Sequence, residues 1–214
     1  MIKKGMDTIM KKNMSTFKIT MGALYVALFA ASSNIPFLSA IHLIPGVPLT
    51  LQTFLIAMMG LTLGTRGAMM AYSAVMMLTV AGVPMMSGGR GGVAVLFGPT
   101  GGYIIGFFAL ALVLGLYADY GMPRLASRKL WGMSLHVPVS FVVGIAGIML
   151  DYLCGSIVLL IYGGRSFTAL PTVFMSNMAF LPGDMIKIGM ASVISLALFV
   201  RLRSLFMTRK GEVS

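Results

Sequence analysis

The feature that most constrains the fold of this chain is a series of six apolar runs, each long enough or nearly long enough to cross a lipid bilayer. The hydrocarbon core of a bilayer requires about 20 residues of α-helix. We place the runs at residues 17–33, 49–63, 67–83, 101–118, 133–162 and 180–202. Because 58% of the 214 residues are hydrophobic and only 10% are charged, a bilayer is the natural solvent for the chain. The sequence therefore predicts an all-α integral membrane protein with six transmembrane helices.

The predicted helices form one membrane domain, residues 17–203, between two polar ends. Residues 1–16 are a basic extension and residues 204–214 are a tail. The second and third runs are short, and Thr65, Arg66 and Gly67 between them are typical of a tight turn in a helical hairpin.

The distribution of Lys and Arg predicts the orientation of the chain. If the N-terminus is cytoplasmic, 13 of the 16 basic residues fall in cytoplasmic segments. Only Arg90 and Arg165 lie in outer loops, and Lys187 lies within the sixth run. The positive-inside rule therefore places both termini in the cytoplasm. The net charge of +11 comes from these basic residues between the apolar runs. The sequence has no basic stripe with interleaved aromatic residues, so it does not indicate nucleic-acid binding.

Acidic residues are scarce, and only Asp151 and Asp184 fall in predicted helices at membrane depth. An ionisable group at that depth indicates a functional site when a partner is available. Lys187 follows Asp184 by three positions and shares its helix face. The pair either binds a ligand or is a self-neutralising pair that ties helices together. We favour ligand binding because Pro182 and Gly183 begin the helix beside an outer loop. For Asp151 the structural and the functional interpretation stay equally open.

The glycine-rich segment from Ser87 to Gly92 surrounds one guanidinium group, that of Arg90. Without bulky side chains, its backbone at Gly91 and its neighbours can approach a ligand closely, and Arg90 suits a carboxylate. The chain has no phosphate-binding loop, so we expect no ATP hydrolysis by the chain itself.

Three alanines recur every four residues on the first helix, at Ala23, Ala27 and Ala31. Such a stripe lets another helix pack closely, and the partner is either internal or a second protein. We predict no metal site, because His42 and His136 fall on opposite sides of the membrane and Cys154 is the only cysteine. No convergent catalytic group or cofactor motif is found, so we expect no enzyme activity.

Four ordered motifs together resemble those of the BioY family, the biotin-binding S-components of energy-coupling factor (ECF) transporters. They are Val47-Pro48-Leu49-Thr50-Leu51-Gln52-Thr53, Gly64-Thr65-Arg66-Gly67, Gly98-Pro99-Thr100-Gly101-Gly102-Tyr103, and Pro182-Gly183-Asp184 with Lys187. The resemblance implies the six-helix S-component fold with a biotin pocket near the outer surface. It also implies that Ala23, Ala27 and Ala31 dock on a transmembrane coupling subunit, and that two cytoplasmic ATPases supply the energy.

Biotin matches the candidate residues chemically. Asp184, Gln52 and Asn177 are predicted to serve its ureido group, Tyr103 to pack on its rings, and Arg90 or Lys187 to pair with its carboxylate. The nearest alternative is an S-component for another vitamin, since a few pocket residues set specificity. A membrane-embedded enzyme and a purely structural membrane subunit are further alternatives. An enzyme would require acids or histidines clustered at one membrane face, and the sequence has no such cluster. A structural subunit would have no need of Asp184, Lys187 and Arg90 near the outer surface.

Overall fold

The computed structural model describes residues 2–34, 41–44, 47–126 and 135–211, in which long helices are joined by loops and one pair of short β-strands is present. Strands β1 (Ile41–Ile44) and β2 (Val47–Leu49) pair antiparallel. The α-helices are α1 (Ile2–Asn34), α2 (Gln52–Val80), α3 (Gly101–Leu116), α4 (Met122–Ala126), α5 (His136–Tyr162), α6 (Leu170–Ser176) and α7 (Leu181–Gly211). A π-helical turn, Tyr117–Gly121, joins α3 to α4.

Five helical stretches within the described part of the chain are long and apolar enough to cross a membrane. They are Thr16–Asn34, Gln52–Val80, Gly101–Leu125, His136–Tyr162 and Leu181–Val200. The predicted class, a helical multi-pass membrane protein, is therefore confirmed. The predicted count of six is not, because the second and third apolar runs form the single helical element α2.

Helix α2 reverses direction at Gly64, whose φ of 73° and ψ of −179° are not helical. A straight helix of 29 residues would be about 43 Å long. Yet Gln52 Nε2 at its start donates to the Met85 carbonyl just beyond its end, at 3.3 Å. The two arms of α2 thus fold back on each other. The predicted turn at Thr65 to Gly67 begins one residue earlier, because this backbone conformation is almost confined to glycine.

Several helix boundaries differ from the prediction. The second helix was expected from residue 49, but Leu49 belongs to β2 and the helix begins at Gln52. The third run was expected to stay helical to residue 83, but α2 ends at Val80. Helix α1 is continuous from Ile2, so the predicted division at residue 16 is not marked by a helix break. The predicted start of the fifth helix at residue 133 lies outside the described residues.

Asp119, in the π-helical turn, fixes the reversal of α2. Its Oδ2 accepts a hydrogen bond from the Thr65 N–H at 2.9 Å, where the second arm has an unpaired backbone donor. A Cβ at Gly64 would collide with this carboxylate. The contact therefore ties the end of α3 to the reversal of α2.

Small residues let α3 approach its neighbours closely. A Cβ on Gly102 would collide with the α5 backbone, one on Gly115 with the backbone at Thr65, and one on Gly60 with Leu114. In lipid, such close packing contributes to helix association because apolar burial between helices gives little driving force. Helix α3 is consequently the centre of the bundle, packed most extensively against α5 and α2.

A buried aromatic cluster fills the space between α1, α2 and α3. The ring of Tyr72 lies 6.2 Å from that of Phe29 and 4.6 Å from that of Phe108. Its hydroxyl donates to the Ile104 carbonyl at 2.6 Å, so this polar group is satisfied inside the core.

We predict that Gly64→Ala destabilises the protein more than Gly82→Ala. Both glycines have positive φ, but a Cβ at Gly82 meets nothing within 4 Å. The backbone conformation of Gly64 should cost a non-glycine residue about 1–3 kcal/mol, and displacement of Asp119 adds to that. Thermal unfolding of the two variants in detergent measures the difference. Equal midpoints would show that the contact with Asp119 does not hold the reversal.

Candidate ligand-binding cavity

A cavity of about 310 Å³ lies at the end of the bundle where α2, α3 and α7 begin. Its size is in the range of small-molecule sites. Its wall is made by the first turns of those helices, the middle of α5 and the loop that follows α2. The lining residues are Thr50, Gln52, Thr53, Met86, Ser87, Arg90, Thr100, Tyr103, Ile104, Phe107, Asp151, Tyr152, Phe180, Asp184 and Lys187.

The polar part of the wall is an ion pair with a third partner. Lys187 Nζ lies 2.7 Å from Asp184 Oδ1, and the Tyr152 hydroxyl donates to Asp184 Oδ2 at 2.6 Å. Asp184 and Lys187 are only 6% and 9% exposed. Asp184 lies in the first turn of α7, where a negative charge also interacts favourably with the helix dipole. The predicted pair therefore forms, and it faces the cavity.

Aromatic rings make the apolar part of the wall. Tyr103, Phe107 and Phe180 all line the cavity. The Tyr103 ring lies against α5 at Gly155, where any Cβ would collide with it. The cavity thus combines a charged region with flat apolar surfaces, an arrangement suited to a small ligand with a polar group and a ring system.

Asn177 lies behind this wall and is not among the lining residues. Its Oδ1 accepts from the Tyr103 hydroxyl at 2.7 Å, and its Nδ2 donates to Ser156 Oγ at 2.8 Å. The side chain is 2% exposed. The structure thus places Asn177 where it orients Tyr103, and a direct contact with a ligand would require these bonds to change.

The glycine-rich loop after α2 covers one side of the cavity. Met86 and Arg90 exchange two backbone hydrogen bonds, of 2.8 and 3.1 Å, around Gly88 and Gly89, which both have positive φ. Arg90 is exposed, lines the cavity and donates through Nε to the Ser87 carbonyl at 3.0 Å. Gly91 is absent from the lining, and a Cβ there would collide with the Val83 carbonyl. Gly91 therefore shapes the loop that carries Arg90.

The end of α1 holds this loop in place. Ser33 Oγ donates to the Met85 carbonyl, and the Ser33 carbonyl accepts from the Gly89 N–H at 3.1 Å. Asn34 Nδ2 donates to the Pro84 carbonyl at 2.6 Å. Gln52, on the cavity wall, donates to Ser33 Oγ at 3.0 Å. These contacts connect α1, the loop and the first turn of α2.

Ten of the fifteen lining residues were not predicted from the sequence as site residues, among them Tyr152 and Asp151. Tyr152 was not considered, because a tyrosine in an apolar run has no distinguishing pattern. The role of Asp151 was left open, and the structure places it on the cavity wall with 4% exposure. Its position at membrane depth was the available signal, but no partner in the sequence showed which way it faces.

The alanine stripe is separate from the cavity. Ala23, Ala27 and Ala31 are all exposed on α1, and none lines the cavity. The stripe therefore has no internal partner among the described residues. His136 contacts Tyr117 and Ser195 through its two ring nitrogens at 2.9 and 3.1 Å. Among the described residues, no three His, Cys, Asp or Glu side chains lie together as potential metal ligands; the side chain of His42 lies outside this description.

Comparison with known proteins identifies close relatives over most of the chain. Residues 10–204 match the model of the BioY family. "Biotin transporter BioY" of Rhizobium etli is 34% identical over 187 residues, which cover 87% of this chain and 95% of the relative. "Biotin transporter BioY2" of Lactococcus lactis subsp. cremoris is 27% identical over 93% of this chain and 97% of its own length.

One solved structure has the same fold. The crystal structure of "the S-component for biotin from an ECF-type ABC transporter" superposes with a TM-score of 0.71 at 27% identity. The match covers 87% of this chain and 92% of that chain. The resemblance found in the four sequence motifs is confirmed by both comparisons.

We predict that Ser33→Ala loosens the glycine-rich loop while Ser32→Ala does not. Both serines are buried and bond to the Phe29 carbonyl, but Ser33 also contacts Met85 and Gln52. Loss of hydrogen bonds worth about 1 kcal/mol each should speed amide exchange several-fold. Hydrogen exchange of a peptide covering residues 82–92 measures the effect. Equal exchange in both variants would show that the loop does not depend on Ser33.

Proposed function

The chain belongs to the BioY family, and on that basis we propose that it binds biotin in the cavity and mediates its uptake as the substrate-capture subunit of an ECF transporter. The observation that carries the proposal is the match to proteins named as biotin transporters over most of both chains. The solved neighbour is the S-component for biotin of such a transporter. The relatives are named as transporters, in agreement with the absence of a catalytic motif in the sequence.

The chemistry of the cavity supports biotin as its ligand. Biotin has a ureido group with two N–H donors and a carbonyl, an apolar ring system with a chain, and a carboxylate at the far end. Asp184 accepts a hydrogen bond from the ureido group in this proposal, because a carboxylate has about four acceptor positions and only two are used by Lys187 and Tyr152. Tyr103 and Phe107 supply the apolar surface for the rings.

The carboxylate of biotin is assigned to Arg90. Lys187 is bound to Asp184 at 2.7 Å, so both lie at the ureido end. The ureido group and the carboxylate occupy opposite ends of biotin. Arg90 is the remaining cation among the described lining residues, and its planar guanidinium matches a carboxylate in shape. Gln52 provides a further polar contact for biotin at the wall. Gly91 allows the loop that carries Arg90 to stay close to the ligand.

We further propose that the two arms of α2 serve as the second and third of six transmembrane helices. Residues 52–63 and 65–80 fold back on each other at Gly64, which lets each arm enter the bilayer separately. With both termini cytoplasmic, the cavity opens at the outer face of the bacterial cell membrane. The concentration of Lys and Arg in the segments on the other side supports this orientation.

The alanine stripe on α1 is the proposed contact with the transmembrane coupling subunit, through which two cytoplasmic ATPases drive uptake. Its three alanines are exposed and lie apart from the cavity. A smooth helix face of this kind permits close packing by a helix of another protein. Binding and coupling would therefore use different parts of the same chain.

Calorimetric titration of the purified protein with biotin, thiamine and riboflavin tests the ligand directly. We expect heat of binding with biotin alone. Binding of another vitamin without binding of biotin would instead identify an S-component of different specificity, which the same fold allows.

Asp184→Asn is expected to weaken biotin binding by about ten- to a hundred-fold. The change replaces an acceptor of charge-assisted hydrogen bonds, worth about 1.5–3 kcal/mol, by an amide that brings its own donors. The dissociation constant and the melting temperature are measured together. Asp119→Asn is the matched control, because Asp119 lies at the reversal of α2, away from the cavity. Unchanged affinity in well-folded Asp184→Asn protein would remove Asp184 from the site.

Ala27→Leu is expected to leave biotin binding intact and to abolish uptake. The larger side chain obstructs close packing against a partner helix, whereas the cavity is formed by other parts of the chain. Uptake by cells and co-purification with the coupling subunit are measured. Ala146→Leu, at an exposed alanine of α5, is the matched control and should behave as wild type. Normal uptake by Ala27→Leu would refute the docking role of the stripe.

A further inference from the structure

Asp151 is a second acidic side chain on the cavity wall, and no described residue pairs with it. It lies in the middle of α5, on the cavity wall, and is 96% buried (4% exposed). Its Oδ1 has no hydrogen-bond partner among the described residues. A buried carboxyl without a partner costs free energy in proportion to its desolvation. A residue that carries such a cost without a structural contact is a candidate for contact with a ligand.

The hydroxyl groups around Asp151 donate to other acceptors. Three tyrosines lie near it, Tyr72, Tyr103 and Tyr152. Tyr72 donates to the Ile104 carbonyl at 2.6 Å and Tyr103 to Asn177 at 2.7 Å. Tyr152 donates to Asp184 at 2.6 Å. The wall therefore satisfies Asp184 and leaves Asp151 as an acceptor.

The two cations of the wall are also engaged elsewhere. Lys187 pairs with Asp184, and Arg90 bonds to Ser87 in the loop. On the opposite helix, Gly106 provides the space for the carboxyl, since a Cβ at that position would collide with Asp151 Oδ1. The packing of α3 on α5 thus accommodates a carboxyl at this position without neutralising it.

We propose that Asp151 is a specificity-determining residue that accepts a hydrogen bond from one ureido N–H of biotin, while Asp184 accepts from the other. This assignment rests on the proposed function. The ureido group has two N–H donors on opposite sides of its carbonyl, so two separate acceptors in one wall match it. The assignment does not depend on the charge of Asp151, because a carboxyl group retains an acceptor oxygen whether or not it is protonated.

Three substitutions at Asp151 test the proposal by calorimetry with biotin. Asp151→Leu removes the acceptor but keeps a similar shape, and Asp151→Ala removes it without added bulk. Both should weaken binding by about tenfold, as expected when one buried N–H donor of the ligand loses its acceptor. Asp151→Asn keeps one acceptor oxygen and should recover much of that loss. Asp151→Leu should melt no lower than wild type, since the substitution removes the desolvation cost of a buried polar group that has no partner. Met149→Leu, in an apolar groove between α5 and α6 that is separate from the cavity, is the control and should match wild type in both measurements.

Two biotin analogues, each methylated at one ureido nitrogen, separate contact from an indirect effect. Both should bind wild type more weakly than biotin does. In Asp151→Leu, one analogue should lose no further affinity relative to biotin, because its missing N–H no longer has an acceptor, while the other still loses affinity. Equal losses for both analogues in variant and wild type would overturn the contact, as would unchanged biotin affinity in Asp151→Leu. Failure of both Asp151→Leu and Asp151→Ala to fold would also overturn it, by showing that the carboxyl supports the bundle. Failure of wild type to bind biotin would instead refute the proposed function, and so the two failures are distinguishable.

Discussion

The close approach of helices at glycine is the interaction on which the remainder of this structure depends. A bilayer gives packed helices little hydrophobic driving force, so their association needs dense van der Waals contact. Helix α3 obtains this contact at Gly102 and Gly106 against α5, and at Gly115 against the reversal of α2. The bundle is therefore tight around α3. The cavity lies at the end of this bundle, where α2, α3 and α7 begin.

The distribution of charge within the cavity follows from the same environment. Because buried charge is costly, Asp184 has two donors of its own, Lys187 and Tyr152, before any ligand arrives. This preformed network holds an acceptor in one position and reduces the ordering cost of binding. Asp151 shares the wall without such support. The site thus contains one neutralised acceptor and one unsatisfied acceptor, which favours a ligand with more than one N–H donor.

Helix α1 contacts the glycine-rich loop at its end and carries the proposed docking surface on its outer side. Its end holds the loop that carries Arg90, through Ser33 and Asn34. Its outer face presents the alanines to the surroundings. The proposed docking surface and the wall of the cavity are therefore connected through one rigid helix. Because the stripe is separate from the lining residues, we expect a substitution in the stripe to leave the cavity unaltered.

Hydropathy predicted the class of protein and most helices correctly. The length of an apolar run can be read from the local sequence, and such a run must be helical in lipid because its backbone groups need hydrogen-bond partners within the segment. The spacing of Asp184 and Lys187 predicted their pairing for the same reason, since three residues on a helix lie on one face. The four motifs also identified the family. Arg90 and Tyr103 were found in the wall where motif and chemistry had suggested them.

Tertiary contacts decided the features that the sequence left open or assigned differently. Asn177 lies behind the wall because it bonds to Tyr103, 74 positions away, and Tyr152 joins the site through Asp184, 32 positions away. The direction of Asp151 depends on the packing of α5 against Gly106. Local pattern determined which segments are helices and which neighbours on a helix can pair. Whether a side chain points into the cavity or against another helix depended on residues distant in the chain, because only the packed bundle determines which helices are neighbours.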